Sequence, residues 1–402
     1  MLRSAALLAI GDELLSGLRH DTNCSWLAAR LHDAGVPVRG IQVLPDQEEP
    51  ILEALGRWVG KVDLLVLSGG LGPTHDDRTR GVLARYLGTS LKADNEAYDR
   101  IVSRYHGPFR DRVEASRGIQ SLVPEGALSL HNPQGSALGV VFAVGGTRVL
   151  ALPGVPWEFR AMASESVLPL IQRLASWKQV LVAGWPESLL AEKLKDTIGD
   201  PGLQVSILPS AGVVTLVFRG EDERVESAVS TVRQLLPEDC LEEGETDMAK
   251  ALVNIAARKG LRIACAESCT GGLVGAAITD VAGSSAVFLG SAVCYSNAAK
   301  ISLLGVDRGI IETRGAVSGE CAAEMARGAR QAYGSDLAVS VTGIAGPEGG
   351  SPEKPVGTVW FGVSGRKGDS AFLRNLSGDR SHIRRWATAV ALETLWRNLK
   401  EG

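Results

Sequence analysis

Short apolar runs alternate with amphipathic stretches from the first residues onward. Ala5–Ile10 reads as a buried strand, Ser25–Ala34 as a helix, Val36–Leu44 as a strand, Glu48–Val59 as a helix and Asp63–Leu67 as a strand. This order predicts a mainly parallel sheet covered by helices. In such sheets ligands bind beyond the carboxyl ends of the strands, which puts Gly11-Asp12-Glu13 and Ser68-Gly69-Gly70-Leu71-Gly72 on one rim. Asn132-Pro133-Gln134-Gly135 is a further rim candidate, as is the turn Leu152-Pro153-Gly154-Val155-Pro156 after a strand at Arg148–Leu152. A helix to about Leu174 closes this first domain, residues 1–174.

The pattern changes over residues 175–245. Gln179–Ala183 and Val213–Phe218 read as strands, Glu187–Ile198 and Glu223–Leu236 as helices, and no glycine-rich rim loop occurs, so a small α+β connector is expected. A second α/β alternation fills residues 246–402. Met248–Lys259 reads as a helix, and Leu261–Ala266 as a strand running into Glu267-Ser268-Cys269-Thr270-Gly271-Gly272. The stretch Gly346–Pro355 is long and flexible in composition, and is expected to be ordered only where a ligand or neighbour holds it.

Composition narrows the class. A chain of 402 residues with 45% hydrophobic and 22% charged residues fits two or three soluble globular domains. The formal net charge of −4, with no basic run, gives no nucleic-acid footprint and favours a small-molecule substrate. Cys24, Cys240, Cys265, Cys269, Cys294 and Cys321 are scattered without metal-like pairs, as reduced thiols in the cytoplasm would be. The opening apolar run is too short for a signal peptide or a span, so neither export nor a membrane anchor is expected. Glycine is in excess, 47 residues or about 12% against an average near 7%.

The C-terminal chemistry centres on Ser268. With Cys269 it falls between a strand and a helix opening at Gly271–Gly272. There unpaired N–H groups of Cys269, Thr270, Gly271 and Gly272 and the positive helix end suit an anion or an oxyanion. Tyr295 and Lys300 stand five residues apart at a strand-to-helix junction. A desolvated lysine can lose its proton near neutral pH and act as base for the serine, with the tyrosine as a hydrogen-bonding relay. Thr342, Gly343 and Gly346, on a strand and its glycine-rich turn, suit a phosphate or ribose, and Arg380 can complete a phosphate clamp. Each has a plainer reading: Ser268 as a helix N-cap, Tyr295 and Lys300 as surface residues, Cys269 as packing or as a rival nucleophile. A Ser-His-Asp triad is excluded, because the only histidine after His131 is His382.

At the N-terminal rim, Asp12, Glu13, His75, Asp76 and Asp77 are hard-ligand candidates for a divalent cation, Mg²⁺ or a transition metal. The amides of Ser68, Gly69, Gly70 and Gly72 can cradle phosphates, with Asn132 and Gly135 as neighbouring binding candidates. Equally, Asp76 and Asp77 can start the next helix and Gly69–Gly72 can be a packing turn; the residues alone leave both readings open. No P-loop, GxGxxG or HExxH pattern is present.

Taken together, the blocks ESCTGG, AGSSAVF, YSNAAK, GAVS, VTGIAGPEGGSPEKPVGTVWFGV and GDR resemble the C-terminal domain of the CinA family, nicotinamide mononucleotide deamidase. The resemblance runs from about Asp247 to the end. It implies hydrolysis of nicotinamide mononucleotide to the acid and ammonia, without metal, with Ser268 as nucleophile, Lys300 as base or proton shuttle and Tyr295 as its partner. IGDELLSG, DTN, SGGLGPTHDDRT, NPQGSALG and LPGVPWE resemble the family's N-terminal domain, similar to molybdopterin-binding domains. For that half the resemblance implies a metal-dependent ADP-ribose pyrophosphatase, and for the whole a role in pyridine-nucleotide salvage. A non-catalytic pterin- or nucleotide-binding module serving competence or DNA repair is the alternative for the N-terminal half. A homodimer is the expected assembly.

Overall fold

The computed structural model describes residues 2–72, 74, 77–103, 107, 110–111, 121–171 and 176–401. The chain forms two compact units, Met1–Ala175 and Ser176–Gly402.

In the first unit the strands are β1 (Ala5–Ile10), β2 (Val38–Leu44), β3 (Leu64–Ser68), β4 (Leu91–Ala93), β5 (Leu122–Pro124), β6 (Leu128–Leu130), β7 (Gly139–Val144) and β8 (Thr147–Leu152). The main helices are α1 (Asn23–Asp33), α2 (Glu48–Trp58), α3 (Thr79–Leu87) and α4 (Pro156–Ser166). A six-stranded sheet has the order β2-β1-β3-β8-β7-β6, parallel from β2 to β8 and antiparallel at β7 and β6. All six residues of β1 are buried, and the two-residue period sends alternate side chains to opposite faces. Ala5, Leu7 and Ala9 pack with Leu27 and Leu31 of α1 and Phe159 of α4, while Ala6, Leu8 and Ile10 pack with Ile51 and Leu55 of α2 and Leu83 of α3. The carboxyl ends of β1, β3 and β8 therefore lie side by side, and Gly11–Glu13, Gly69–Gly72 and Pro153–Gly154 share one rim.

The second unit begins with β9 (Ser176–Ala183), β10 (Leu203–Ser210) and β11 (Val213–Gly220), an antiparallel sheet of order β10-β11-β9 backed by α5 (Asp222–Leu235). Val180, Val182, Leu216 and Phe218 face Val225, Val229 and Val232 of that helix. Strand β10 has no counterpart among the sequence expectations. It is an edge strand, half-exposed to fully exposed along its length, so its apolar alternation is weak. The helix expected over Glu187–Ile198 is broken at buried Leu194, giving Glu187–Lys193 and Lys195–Ile198.

The remaining strands are β12 (Ile263–Glu267), β13 (Phe288–Val293), β14 (Leu337–Gly343), β15 (Thr358–Gly365) and β16 (Gly368–Asn375), in the order β13-β12-β14-β15-β16. The first three are mutually parallel, and β15 and β16 run antiparallel. They are covered by α6 (Met248–Lys259), α7 (Leu273–Thr279), α8 (Asn297–Leu304), α9 (Gly319–Tyr333) and α10 (Arg380–Glu401). Ile263 and Cys265 pack with Leu252, Ile278 and Leu395 on one face; Ala264 and Ala266 pack with Leu304 and Met325 on the other. The first of these cores continues onto Leu181, Ala183 and Val213, so the small sheet and the C-terminal sheet share apolar packing. All six cysteines are buried and unbridged, and among the described residues no helix is long and apolar enough to cross a membrane.

Candidate active site

Strand β12 lies between β13 and β14, so the chain leaves it to one side and returns on the other. The crevice beyond its carboxyl end is the switch point of the sheet. Ser268 sits there, its N–H donating to the Val341 carbonyl of β14 at 2.9 Å. The turn closes through Gly271 and Gly272 at φ +61° and +97°, backbone that glycine adopts without steric cost. Across the crevice, Ser296 caps α8 by accepting the Ala299 N–H at 3.1 Å, which fixes the first helical turn. Lys300, on that turn, reaches back with Nζ donating to Ser268 Oγ at 3.0 Å and to the Cys294 carbonyl at 2.9 Å. Lys300 is only 2% exposed and Ser268 8%. Burial pulls the amine below the ordinary lysine value of 10.5, against a smaller opposing pull from the Cys321, Cys294, Cys269 and Tyr295 groups. A hydroxyl thus faces a desolvated amine whose hydrogen-bonding partners are all neutral.

The amides expected to await negative charge at the start of α7 are partly spoken for. Glu267, fully buried beside Ser268, accepts the N–H groups of Gly272 (2.8 Å), Val274 (3.1 Å) and Gly275 (2.9 Å) and the Ser291 hydroxyl (2.7 Å). Gly272 is therefore corrected from an oxyanion donor to part of an internal carboxylate nest, and the Gly271 N–H closes the turn on the Ser268 carbonyl at 3.1 Å. Burial pushes the Cys269 thiol up to about 11, outweighing the nearby Cys269 and Thr270 N–H groups and the charges of Lys300 and Arg384. A neutral buried thiol is a poor rival to Ser268. Thr270 is fully buried and its hydroxyl has no hydrogen-bond partner.

Tyr295 is placed differently from the expected relay. Its hydroxyl accepts from Arg380 Nη2 at 3.0 Å, and the hydrogen bond that Lys300 Nζ makes to it is to its backbone carbonyl, at 3.5 Å. The other arm of Arg380 donates to the Gly346 carbonyl at 2.7 Å, so Tyr295, Gly346 and Arg380 form one group. The Thr342 hydroxyl is buried and donates to the Ala316 carbonyl at 2.8 Å, which leaves it only as an acceptor. Gly343 is required for packing, because a Cβ there would stand 2.8 Å from the Thr358 carbonyl of β15. The glycine-rich stretch after Gly346 is held by its own chain: Lys354 Nζ donates to the carbonyls of Arg314 and Val317, each at 2.8 Å.

Sequence reasoning passed over Glu267 and Arg384. The first carries a signal, an acid ending an otherwise apolar strand. The second lies four residues beyond Arg380, on the same helical face, and its Nε and Nη2 donate to the carbonyls of Cys269 (3.0 Å) and Thr270 (2.8 Å).

At the N-terminal rim the polar groups largely satisfy one another. Asp77 accepts from the Gly72 N–H at 2.7 Å and from the Thr74 N–H at 2.9 Å, and Asp12 and Asp46 exchange bonds with each other's backbone N–H groups. Glu13 and Asp77 line a cavity of about 450 Å³ with Arg19, Asp46, Gly69, Gly70 and Glu158. His75 and Asp76 lie outside the described residues. Among the described residues no three His, Cys, Asp or Glu side chains stand close enough to share a cation, so Asp12, Glu13 and Asp77 do not by themselves form the expected metal centre. The Gly69 N–H is bonded to the Leu152 carbonyl at 3.0 Å, and that of Gly72 to Asp77, which leaves fewer amides for a phosphate than expected. A Cβ at Gly70, where φ is +66°, would stand 2.2 Å from Thr79 Oγ1, so this glycine serves close packing. Ser68 is buried against Asn23 at 2.9 Å. Asn132 binds Glu158 (2.6 Å) and the N–H groups of Gln134 (3.0 Å) and Gly135 (2.9 Å).

Two α/β units with strand-end clefts, one of them holding a buried serine–lysine pair, define the class. Residues 245–399 match the family described as CinA C-terminal domain, and residues 6–173 match that described as probable molybdopterin binding domain. A "CinA-like protein" of Citrifermentans bemidjiense is 41% identical over 403 residues, covering 98% of this chain and 97% of that protein. A "putative competence-damage inducible protein" of Halothermothrix orenii is 38% identical over 408 residues, covering 98% of each. Among solved structures, the competence/damage inducible protein CihA from Agrobacterium tumefaciens is 43% identical, covering 37% of this chain and 91% of that one, with a TM-score of 0.36. The chain belongs to the CinA family, with a molybdopterin-binding-like domain preceding the CinA C-terminal domain.

Proposed function

We propose that the C-terminal domain is a nicotinamide mononucleotide deamidase. The observation that carries this reading is the 3.0 Å contact of Lys300 Nζ with Ser268 Oγ inside a desolvated crevice. In its neutral form Lys300 takes the Ser268 proton as Oγ attacks the substrate's amide carbon. The resulting ammonium returns that proton to the departing nitrogen, so ammonia leaves and an acyl-serine remains. Water, deprotonated by Lys300, then hydrolyses the ester to nicotinic acid mononucleotide and restores Ser268. Arg380 is the group for the substrate phosphate, since its two protein partners are neutral oxygens and its charge is uncompensated by them. The test is ammonia release from nicotinamide mononucleotide. It is expected to vanish in Ser268→Ala, whereas full turnover in that variant beside a dead Cys269→Ala would move the nucleophile to the thiol.

For the N-terminal domain we propose binding of a phosphate-bearing nucleotide or pterin at the rim cavity of about 450 Å³. The finer reading, a metal-dependent ADP-ribose pyrophosphatase, needs Asp76. The non-catalytic module is favoured by the engagement of Asp77 in its own loop and of Asp12 with the Asp46 N–H of the neighbouring loop. ADP-ribose hydrolysis measured with and without Mg²⁺ or Mn²⁺ separates them: turnover supports the enzyme, and binding without turnover under either metal supports the module. A cytoplasmic homodimer acting on these small nucleotides completes the proposal, its mass checked by light scattering.

A further inference from the structure

A cavity of about 590 Å³ lies where the small antiparallel sheet meets the C-terminal sheet, and neither Ser268, Lys300 nor Arg380 lines it. Its floor is one face of α10, with Trp386, Val390, Glu393 and Thr394 at helical spacing. One wall is the edge strand β16, whose two-residue period turns Phe372, Arg374 and Leu376 the same way. The other is made by Trp185, in the turn after β9, and by the hairpin between β10 and β11. This second wall is pinned to the helix. Arg397 Nη2 donates to the Ala183 carbonyl at 3.2 Å, and two glycines permit close approach: a Cβ at Gly184 would stand 2.5 Å from Glu393 Oε1, and one at Gly212 would stand 3.0 Å from the Ala389 Cβ. The hollow is therefore shaped before any ligand enters, as small-molecule sites between packed layers usually are.

The charges around it do not cancel. Glu393 pairs with Arg397 at 2.7 Å, Arg397 also pairs with Asp239 at 2.9 Å, and Glu401 pairs with Lys367 at 3.0 Å. Arg374 has no carboxylate partner among the described residues; its one hydrogen bond is to the adjacent Leu373 carbonyl at 3.3 Å, and its guanidinium carbon stands 4.9 Å from the Phe372 ring centroid. The Trp185 indole N–H is taken by Asp239 at 2.8 Å, whereas that of Trp386 meets no acceptor among the described residues. Aromatic surface and two spare donors, one of them cationic, thus border one preformed hollow. We propose that this cavity binds a planar aromatic anion, with Trp185 and Trp386 against the ring and Arg374 on the anionic group. A cationic ligand would meet the uncompensated Arg374, and a purely apolar one would bury its guanidinium without a partner. The site goes beyond the deamidase reading and does not depend on it.

The experiment is calorimetric titration of the full chain with naphthalene-2-sulfonate, a rigid aromatic anion, beside the uncharged naphthalene-2-sulfonamide. The sulfonate is expected to bind saturably at one site per chain, about tenfold or more tighter than the sulfonamide. Arg374→Glu should weaken the sulfonate by about tenfold or more and leave the sulfonamide within about threefold, because only the charge contact is reversed. Trp386→Leu should weaken both by about 3–10-fold through lost ring contact, and Trp386→Phe carries the comparison if the leucine variant does not fold. Ser268→Ala should bind the sulfonate as the parent does, which separates this cavity from the Ser268 crevice. Absence of saturable binding by the parent, equal affinity for the two probes, or sulfonate affinity unchanged in Arg374→Glu overturns the proposal. A parent chain that binds the sulfonate in this way but releases no ammonia from nicotinamide mononucleotide removes the deamidase reading alone.

Discussion

The rims of the two sheets are built alike and finished differently. At the N-terminal rim Asp77, Asp12, Asn132 and Ser68 turn their polar atoms onto neighbouring amides and side chains, and the loops become self-contained. At the C-terminal crevice Glu267 and Arg384 absorb the spare amides and carbonyls from either side, while Ser268 and Lys300 are left facing each other. Acidic residues on a glycine-rich rim therefore do not identify a metal site until their own backbone demands have been counted. A buried lysine without an anion beside it is a costly arrangement, and cost without structural return is the mark of a working group.

The contrast is broken most severely at Ser268. Ser268→Ala should lower ammonia release from nicotinamide mononucleotide by about 10³-fold or more, with Cys269→Ala within about threefold of the parent. Next comes Lys300→Met, which removes the proposed base but keeps the apolar stem. Activity should fall about 10²–10⁴-fold while the melting temperature rises by about 2–4 °C, because an unpaired buried amine is replaced by a thioether. A drop in melting temperature would mean that the amine supports the fold.

A pH series sharpens the same point. Protonated Lys300 cannot accept the serine proton, so kcat/KM should climb with pH through an apparent pKa below the ordinary lysine value of 10.5. The folded chain holds this proton less tightly than the unfolded chain. Between the lowered pKa and 10.5 the unfolded state binds more protons, so stability also rises with pH in that window, and Lys300→Met should flatten the rise. A kcat/KM flat across the range would remove lysine as the base. The smallest effect is expected at the other rim. Asp77→Ala releases the amides of Gly72 and Thr74 and should cost about 1–2 kcal/mol in urea unfolding of the N-terminal unit without any metal added. An unchanged midpoint would favour its role as a ligand.

Much of the fold is readable from the chain because β1, β3, β8 and β12 are short apolar runs between helices, and strands buried on both faces have that appearance. Strand β10 escaped because an exposed edge needs little apolar alternation. The pairing of Ser268 with Lys300, 32 residues apart, was suggested by residue chemistry, since both stand where parallel strands end. The partners of Tyr295 and Thr342 were not legible. Arg380 and Ala316 reach them through the packing of α10 and of the turn before α9, and no local spacing encodes such contacts. Glu267 was overlooked for a related reason: three of its four donors are amides at the start of α7 and the fourth is the Ser291 hydroxyl on β13, and the chain must turn back across β12 to bring both against one carboxylate.

The two bonds from Lys354 to the carbonyls of Arg314 and Val317 have a bearing on how fast a substrate is captured. A glycine-rich border that had to freeze around each arriving molecule would forfeit chain entropy at every encounter and slow its capture. Here two hydrogen bonds already tie that stretch to the body of the domain, so less ordering is left for an arriving molecule to impose.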